Sequence, residues 1–293
     1  MQERRWSASA FAPAHITGFF CIHDHEDPRK KGSIGCGIVL DGGVVTTVTY
    51  SEELEDTPII LNGEHVGGHT TRTVVNMLTN SPLLVESVAN IPIGCGFGAS
   101  GAGALSTAYA LNDALSLNLT SAKIIETAHV AEVVNRSGLG DVIAQSYGGV
   151  VIRTAPGAPK YGSVDWIPVA GKEVICLALG ELDTSSVLSD PDFVWRITSM
   201  GRGAMKKLMA SPTFETFMQC SRDFAFGTGL ASNAIIDVIE AVESAGGMAS
   251  QAMLGESVFA TVCPERRDAV IETLSEFGQP LAYYINNCRA GLL

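Results

Sequence analysis

The chain has 293 residues, 46% of them hydrophobic and 17% charged, and 19 Lys and Arg against 31 Asp and Glu leave a net charge of −12. That balance excludes a disordered chain, which combines few apolar residues with dense charge, and a nucleic-acid binder that works mainly by neutralising phosphates. The length fits one large domain or two medium ones, each able to bury a core. Seven cysteines, odd in number and without a C-x-x-C, read as reduced thiols of a cytoplasmic protein. The start, Met1 to Arg5, leads into a run broken by Pro13 and His15, unlike a signal peptide, and no stretch reaches the ~18 apolar residues of a membrane span.

In chain order, Phe11 to Phe20 and Gly35 to Tyr50 are rich in Val, Ile, Thr and Phe and predict strands, with Asp41-Gly42-Gly43 as a hairpin signal. A polar loop, His23 to Ser33, lies between them. Pro58 to His65 predicts a short strand and turn, Thr71 to Leu78 a helix, and Leu84 to Ile91 a strand. Ser100 to Leu115 is helical, since Ala104, Ala108, Leu111 and Leu115 form one stripe. Ser121 is a candidate N-cap for a helix ending near Val134. Gly138-Leu139-Gly140-Asp141 turns the chain toward a helical stretch and a strand ending at Arg153. Ala155 to Ser163, dense in Pro and Gly, reads as a linker. Beyond it come a strand (Glu173 to Leu179), helices over Asp192 to Ala210, Thr213 to Ala225 and Ser232 to Ala245, a strand (Ser257 to Cys263), a helix (Glu265 to Phe277) and a last strand (Leu281 to Asn286).

The most informative segment is Pro92-Ile-Gly94-Cys-Gly96-Phe-Gly98-Ala99-Ser100-Gly101. A strand ends, glycines let the backbone curl, and a helix begins, so free N–H groups and the positive helix end point at one spot suited to a phosphate. A Gly-rich turn made only for close packing is the alternative, but three glycines at alternate positions followed by a hydroxyl favour the anion site. Gly96-x-Gly98-x-x-Gly101 formally fits the dinucleotide fingerprint, yet no acidic residue stands near Ser116 to Ser121 to complete it. No Walker sequence is present.

The segment resembles the second motif of the GHMP kinases, the superfamily of galactokinase, homoserine kinase and mevalonate kinase. Ala12-Pro-Ala-His-Ile-Thr-Gly18-Phe-Phe is similar to its N-terminal motif, and Ala245 to Phe259 sits where its third, Gly-rich motif belongs, thinned to Gly246, Gly247 and Gly255. APAHITGFF, GFGASGAGALS, GLGDV and GGVVIR together look most like the archaeal pantoate kinase family. The resemblance implies an α+β, two-domain fold: a ribosomal-protein-S5-like domain over 1–157 and a ferredoxin-like α/β sandwich over 158–293. It also implies ATP as nucleotide, Mg²⁺, pantoate as the small-molecule acceptor, and a homodimer. Nucleic acid and membrane are not expected partners.

Phosphoryl transfer needs a phosphate cradle, a divalent metal, a positioned hydroxyl and a nearby carboxylate. Pro92, Gly94, Gly96, Gly98, Ala99, Ser100 and Gly101 supply the cradle. Ser100 is a candidate for Mg²⁺ or a phosphate oxygen, although a Ser at a helix start is more commonly an N-cap. The resemblance makes Glu132 a Mg²⁺ ligand, against the ordinary reading of a solvated helix-face acid; Ile125, His129 and Glu132 share a stripe. It makes Asp141 the base that orients the acceptor hydroxyl, where a turn residue or N-cap is the plain alternative. Arg153 can grip the acceptor carboxylate bidentately, with Ser33 and His129 as further donors. Other acceptors (homoserine, shikimate, mevalonate), a non-catalytic ligand sensor, and a dinucleotide-dependent oxidoreductase are the competing functions. Cys21-x-His23-Asp24-His25-Glu26-Asp27 has metal-ligand residue types, but its alternation along an extended chain and the lack of a second cluster favour a polar rim or loop.

Overall fold

The computed structural model describes residues 7–50, 54–169, 171–181 and 190–293. Two antiparallel strands of unusual length open the chain, β1 (Ser7–His23) and β2 (Gly32–Tyr50). They pair from Ser7↔Thr49 to His23↔Gly32, with irregularities at Pro13/His15 and Thr17/Phe19. The Asp41-Gly42-Gly43 signal therefore marks no hairpin. Gly43 lies across from Pro13, and a Cβ there would strike the carbonyl of Ala12. The glycines let β2 pass close to β1 rather than turn back.

The two halves of β2 take different second partners. Its end (Val44 to Tyr50) pairs with β5 (Leu83–Ala89), and its start (Gly35 to Ile38) pairs with β6 (Val150–Ala155). Short β3 (Ile59–Leu61) runs parallel to β5 and carries β4 (Glu64–His65). β7 (Ser163–Ile167) pairs with β6, and β12 (Gly291–Leu292) with β1. The Pro/Gly segment from Ala155 to Ser163 is thus the bend of a β6–β7 hairpin, and the large sheet extends beyond residue 157.

Helix α2 (Ala99–Ala114) packs on this sheet, and α1 (His69–Leu78) and α3 (Ser121–Asn135) pack against α2. In α2, Ala102, Ala104, Leu105, Ala108, Ala110 and Leu111 are all fully buried. Such small side chains let the helix lie close on the Ala10, Ala12, Ala14 and Ile16 row of β1. Thr120, not Ser121, caps α3 through the Lys123 amide.

A second sheet runs β11 (Leu281–Tyr284), β8 (Glu173–Gly180), β10 (Glu256–Thr261), β9 (Met248–Gln251), all antiparallel. Against it pack α7 (Asn233–Ser244) and α8 (Arg267–Ser275), around Ile175, Leu177, Ile235, Ile239 and Leu274. Two further helices, α5 (Pro191–Ala210) and α6 (Phe214–Thr228), lie on β1, with Phe217 and Phe224 against Phe19. Among the described residues no helix is long and apolar enough to cross a membrane. The architecture is the α+β arrangement expected, with a mixed eight-stranded sheet and an antiparallel four-stranded sheet.

Candidate active site

The loop after β5 curls as its glycines predict. Gly94, Gly96 and Gly98 have φ of 74°, 85° and 65°, a region that side chains with a Cβ avoid. Gly98 is itself the N-cap of α2, so Ser100 is not the cap. Neighbouring elements hold the loop. The His15 amide donates to the Phe97 carbonyl at 3.0 Å, and Gln145 Nε2, on α4 (Asp141–Gln145), donates to the Gly98 carbonyl at 2.8 Å.

The Ser100 hydroxyl is free to reach α3. It donates to Glu132 Oε1 at 2.7 Å, and Ser137 Oγ donates to the same oxygen at 2.7 Å. Thr70, in the first turn of α1, joins both serines at 3.2 and 2.9 Å. Glu132 is 2% exposed, so it is no solvated helix-face acid. A Cβ on Gly138 would collide with Glu132 and stand 3.2 Å from Asp141 Oδ2, so the glycine turn is what allows the two carboxylates to approach. Burial, and then the Asp141 charge, push the Glu132 carboxyl up to about 7 against the pull of its serine hydrogen bonds.

Asp141 opens α4 and receives a 2.7 Å hydrogen bond from His15 Nδ1. A carboxylate only accepts, so the imidazole carries its proton on Nδ1. Burial would raise the Asp141 carboxyl, but the His15 hydrogen bond and charge and the nearby Arg153 together hold it below the ordinary range. Burial in turn pulls the His15 imidazole down. His15 was legible only as part of the N-terminal motif; neither it nor Thr70, Ser137 or Gln145 was singled out for the site by sequence.

Arg153 emerges from β6 fully enclosed, 2% exposed. Its Nη2 donates to Ser33 Oγ at a long 3.5 Å, while Nε and Nη1 have no hydrogen-bond partner among the described residues. Gly140 makes room for it, since a Cβ there would lie 2.5 Å from Nε. A cavity of about 360 Å³ joins these groups. The glycine loop and Ser100 line it with Thr70, Ser137, Asp141, Arg153 and Ser33. Ile59, Leu61 and Val66 form an apolar wall at one side.

Pro92, Gly101 and Glu132 do not line the cavity themselves, Glu132 reaching it through Ser100, and His129 lies apart from it. It is buried on α3, but its Nε2 donates to the Lys31 carbonyl at 2.9 Å and it does not line the cavity. Three residues along a helix turn the side chain by about 300°, which leaves His129 some 60° from Glu132 and aimed at the 24–31 loop. That loop is held by its own ion pairs, Asp27 with Arg29 and Asp24 with Lys31, while Lys30 lies over the Tyr161 ring. No group of three or more His, Cys, Asp or Glu suited to a metal occurs among the described residues.

A helix N-terminus behind a glycine curl, a serine–glutamate pair and an aspartate near a buried arginine thus gather around one cavity. A family model, GHMP kinases N terminal domain, matches residues 69–149. The chain is 35% identical over 284 residues to pantoate kinase of Thermococcus kodakarensis, covering 92% of this chain and 93% of the relative. It is 34% identical to pantoate kinase of Methanocaldococcus jannaschii, covering 92% and 97%. A solved structure described as a phosphotransferase related to the CoA biosynthesis pathway superposes with a TM-score of 0.89 at 32% identity, over 98% of both chains. The chain belongs to the pantoate kinase family of the GHMP kinases.

Proposed function

We propose that this protein transfers the γ-phosphoryl group of ATP to the terminal hydroxyl of pantoate, giving 4-phosphopantoate and ADP for coenzyme A synthesis. The observation that carries the reading is the buried Arg153, with two unpartnered N–H positions beside Asp141 in a cavity that the phosphate loop also lines. A guanidinium so placed favours a planar anion such as a carboxylate. With the acceptor carboxylate on Arg153 and Ser33, its hydroxyl end faces Asp141.

In the reaction the hydroxyl oxygen bonds to the γ-phosphorus as the bond to the β–γ bridging oxygen breaks. The proton leaves through the Asp141 carboxylate. A carboxylate held low is a weak base, which suits a loose transition state in which orientation of the hydroxyl counts more than early deprotonation. The amides of the 94–101 loop bind the phosphates.

The donor set also fits Mg²⁺. Glu132 and Asp141 are two carboxylates brought close in a buried place, with Glu132 pushed up by that burial and proximity, and hard oxygen donors suit this ion. Ser100 and Glu132 would hold it, and it would neutralise charge developing on the phosphates. An acceptor screen coupled to ADP release tests the reading: turnover with pantoate is expected, and turnover with homoserine and none with pantoate would overturn it.

A further inference from the structure

The thinned glycine motif has a specific structural consequence. Strands β9 and β10 are joined by Ala252-Met253-Leu254-Gly255. Gly255 packs against the backbone of Cys95 and Gly96, where no Cβ fits, so this one glycine seats the turn on the phosphate loop. The Met253 amide donates to the Thr17 carbonyl at 3.0 Å, tying the turn to the strand that carries His15. Gln251 Nε2 closes it from behind on the Gly255 carbonyl at 3.0 Å.

Leu254 has a φ of 62°. Among the described residues the other non-glycines in this left-handed region are Asn62, Ser116, Asn118 and Arg136, so Leu254 is the aliphatic one. Glycine would take this conformation without penalty, whereas leucine is strained there. Backbone strain of this kind concentrates where a side chain serves a function. Here Leu254 packs on the main core and, with the buried Met253, lines the cavity that Phe20, Leu139, Asp141 and Arg153 also line.

We propose that Met253 and Leu254 are an apolar specificity wall for the acceptor, selecting a hydroxy acid with apolar branches between its carboxylate and its reacting hydroxyl. The proposal rests on the pantoate reading, since pantoate carries two methyl groups on the carbon bearing its CH₂OH. Arg153 and Asp141 recognise the two ends of any small hydroxy acid, branched or not. The wall favours the branched one, because methyls that fill it gain apolar burial that a straight chain forgoes.

The test compares kcat/KM for pantoate and for 2,4-dihydroxybutyrate, which keeps the carboxylate and both hydroxyls and lacks both methyls. Leu254→Gly relieves the strained backbone and removes the Leu254 half of the wall. Leu254→Asn tolerates the same φ at similar size but is polar. Both variants are expected to lower the pantoate value about tenfold and to leave that for dihydroxybutyrate within about twofold, with the KM for ATP unchanged. An unchanged ratio, an equal loss on both acceptors, or failure of both variants to fold (circular dichroism and thermal unfolding) would overturn the proposal. Failure of the unaltered protein to turn over pantoate overturns the reading beneath it, and is seen before either variant is assayed.

Discussion

The two ends of the cavity are built differently. At the phosphate end, Ser100, Thr70, Ser137 and Glu132 hydrogen-bond to one another across three helices. At the acceptor end, Arg153 Nε and Nη1 and His15 Nε2 lack partners among the described residues, and the Arg153–Ser33 contact is 3.5 Å long. A closed network sets its own geometry and needs no ligand to be satisfied. A buried guanidinium with idle donors costs stability, and an anion arriving there offsets that cost. The end beside the glycine loop is therefore largely satisfied by its own bonds, Gln145 Oε1 apart, while the end proposed for the acceptor carries idle donors.

The largest expected effect breaks the chemistry between these ends. Asp141→Asn should lower kcat on the order of 10²- to 10⁴-fold while ATP affinity by equilibrium titration is largely retained. Turnover near that of the unaltered enzyme would remove Asp141 from the mechanism. Arg153→Met sharpens the contrast directly. The KM for pantoate should rise on the order of 100-fold, since the acceptor loses a buried charged partner. The KM for ATP should hold, and the melting temperature should change little, because relief of the unbonded guanidinium donors is offset by loss of the cation that favours ionised Asp141. A melting temperature that falls with an unchanged acceptor KM would make Arg153 a structural residue.

A third test addresses the phosphate end through pH. Glu132 sits at about 7 when folded against an ordinary 4.5. The folded state then keeps a proton that the unfolded state releases between those values, so the Glu132 contribution to stability without divalent cation is lost as pH rises through that window. The loss is bounded at on the order of 3 kcal/mol. Asp141 works in the opposite sense, but only below the ordinary carboxylate range, where its ionised folded form is lost. His15, His23 and His129, whose imidazoles burial pulls down, add stability as pH rises across the same window, so the Glu132 share is read by thermal unfolding as a difference: from pH 5 to pH 8, Glu132→Gln should gain more, or lose less, stability than the unaltered protein. Mg²⁺ should restore more stability at pH 8 than at pH 5 in the unaltered protein, and an equal response in Glu132→Gln and the unaltered protein would exclude Glu132 as its ligand.

What could be read from sequence was what neighbouring residues decide. The 92–101 loop was legible because alternate glycines and a following helix signal are local, and the structure gives those glycines positive φ. The resemblance supplied Ser100, Glu132 and Asp141; Ser100 and Asp141 line one cavity, and Glu132 lies behind it on Ser100. The sequence does not signal the partner of each. His15 meets Asp141 across 126 positions and Ser100 meets Thr70 across 30, so only the tertiary fold pairs them. His129 shows the limit of helical periodicity, which selects the buried face but not which neighbour a buried ring meets. Asp41-Gly-Gly43 shows the limit of turn signals, because in a central strand the same glycines serve close passage beside β1.

The smallest expected effect concerns how the acceptor end is aimed. His15 Nδ1 fixes one Asp141 oxygen and favours its ionised form, while Arg153 from β6 and Glu132 from α3 act on the same carboxylate. His15→Leu removes the donor, so burial dominates and Asp141 should protonate at higher pH. The acid limb of the kcat profile should then move upward, with kcat near neutrality lowered about tenfold, a modest share of what general-base catalysis supplies. His15→Asn, whose amide N–H can stand where Nδ1–H stood, should return the limb most of the way. In an Asp141→Asn background His15→Leu should cost nothing further, because a residue that acts through another has no effect once that other is gone. A further loss there, or an acid limb that stays in place, would mean that His15 supports the packing of β1 against Gly37 rather than the orientation of Asp141.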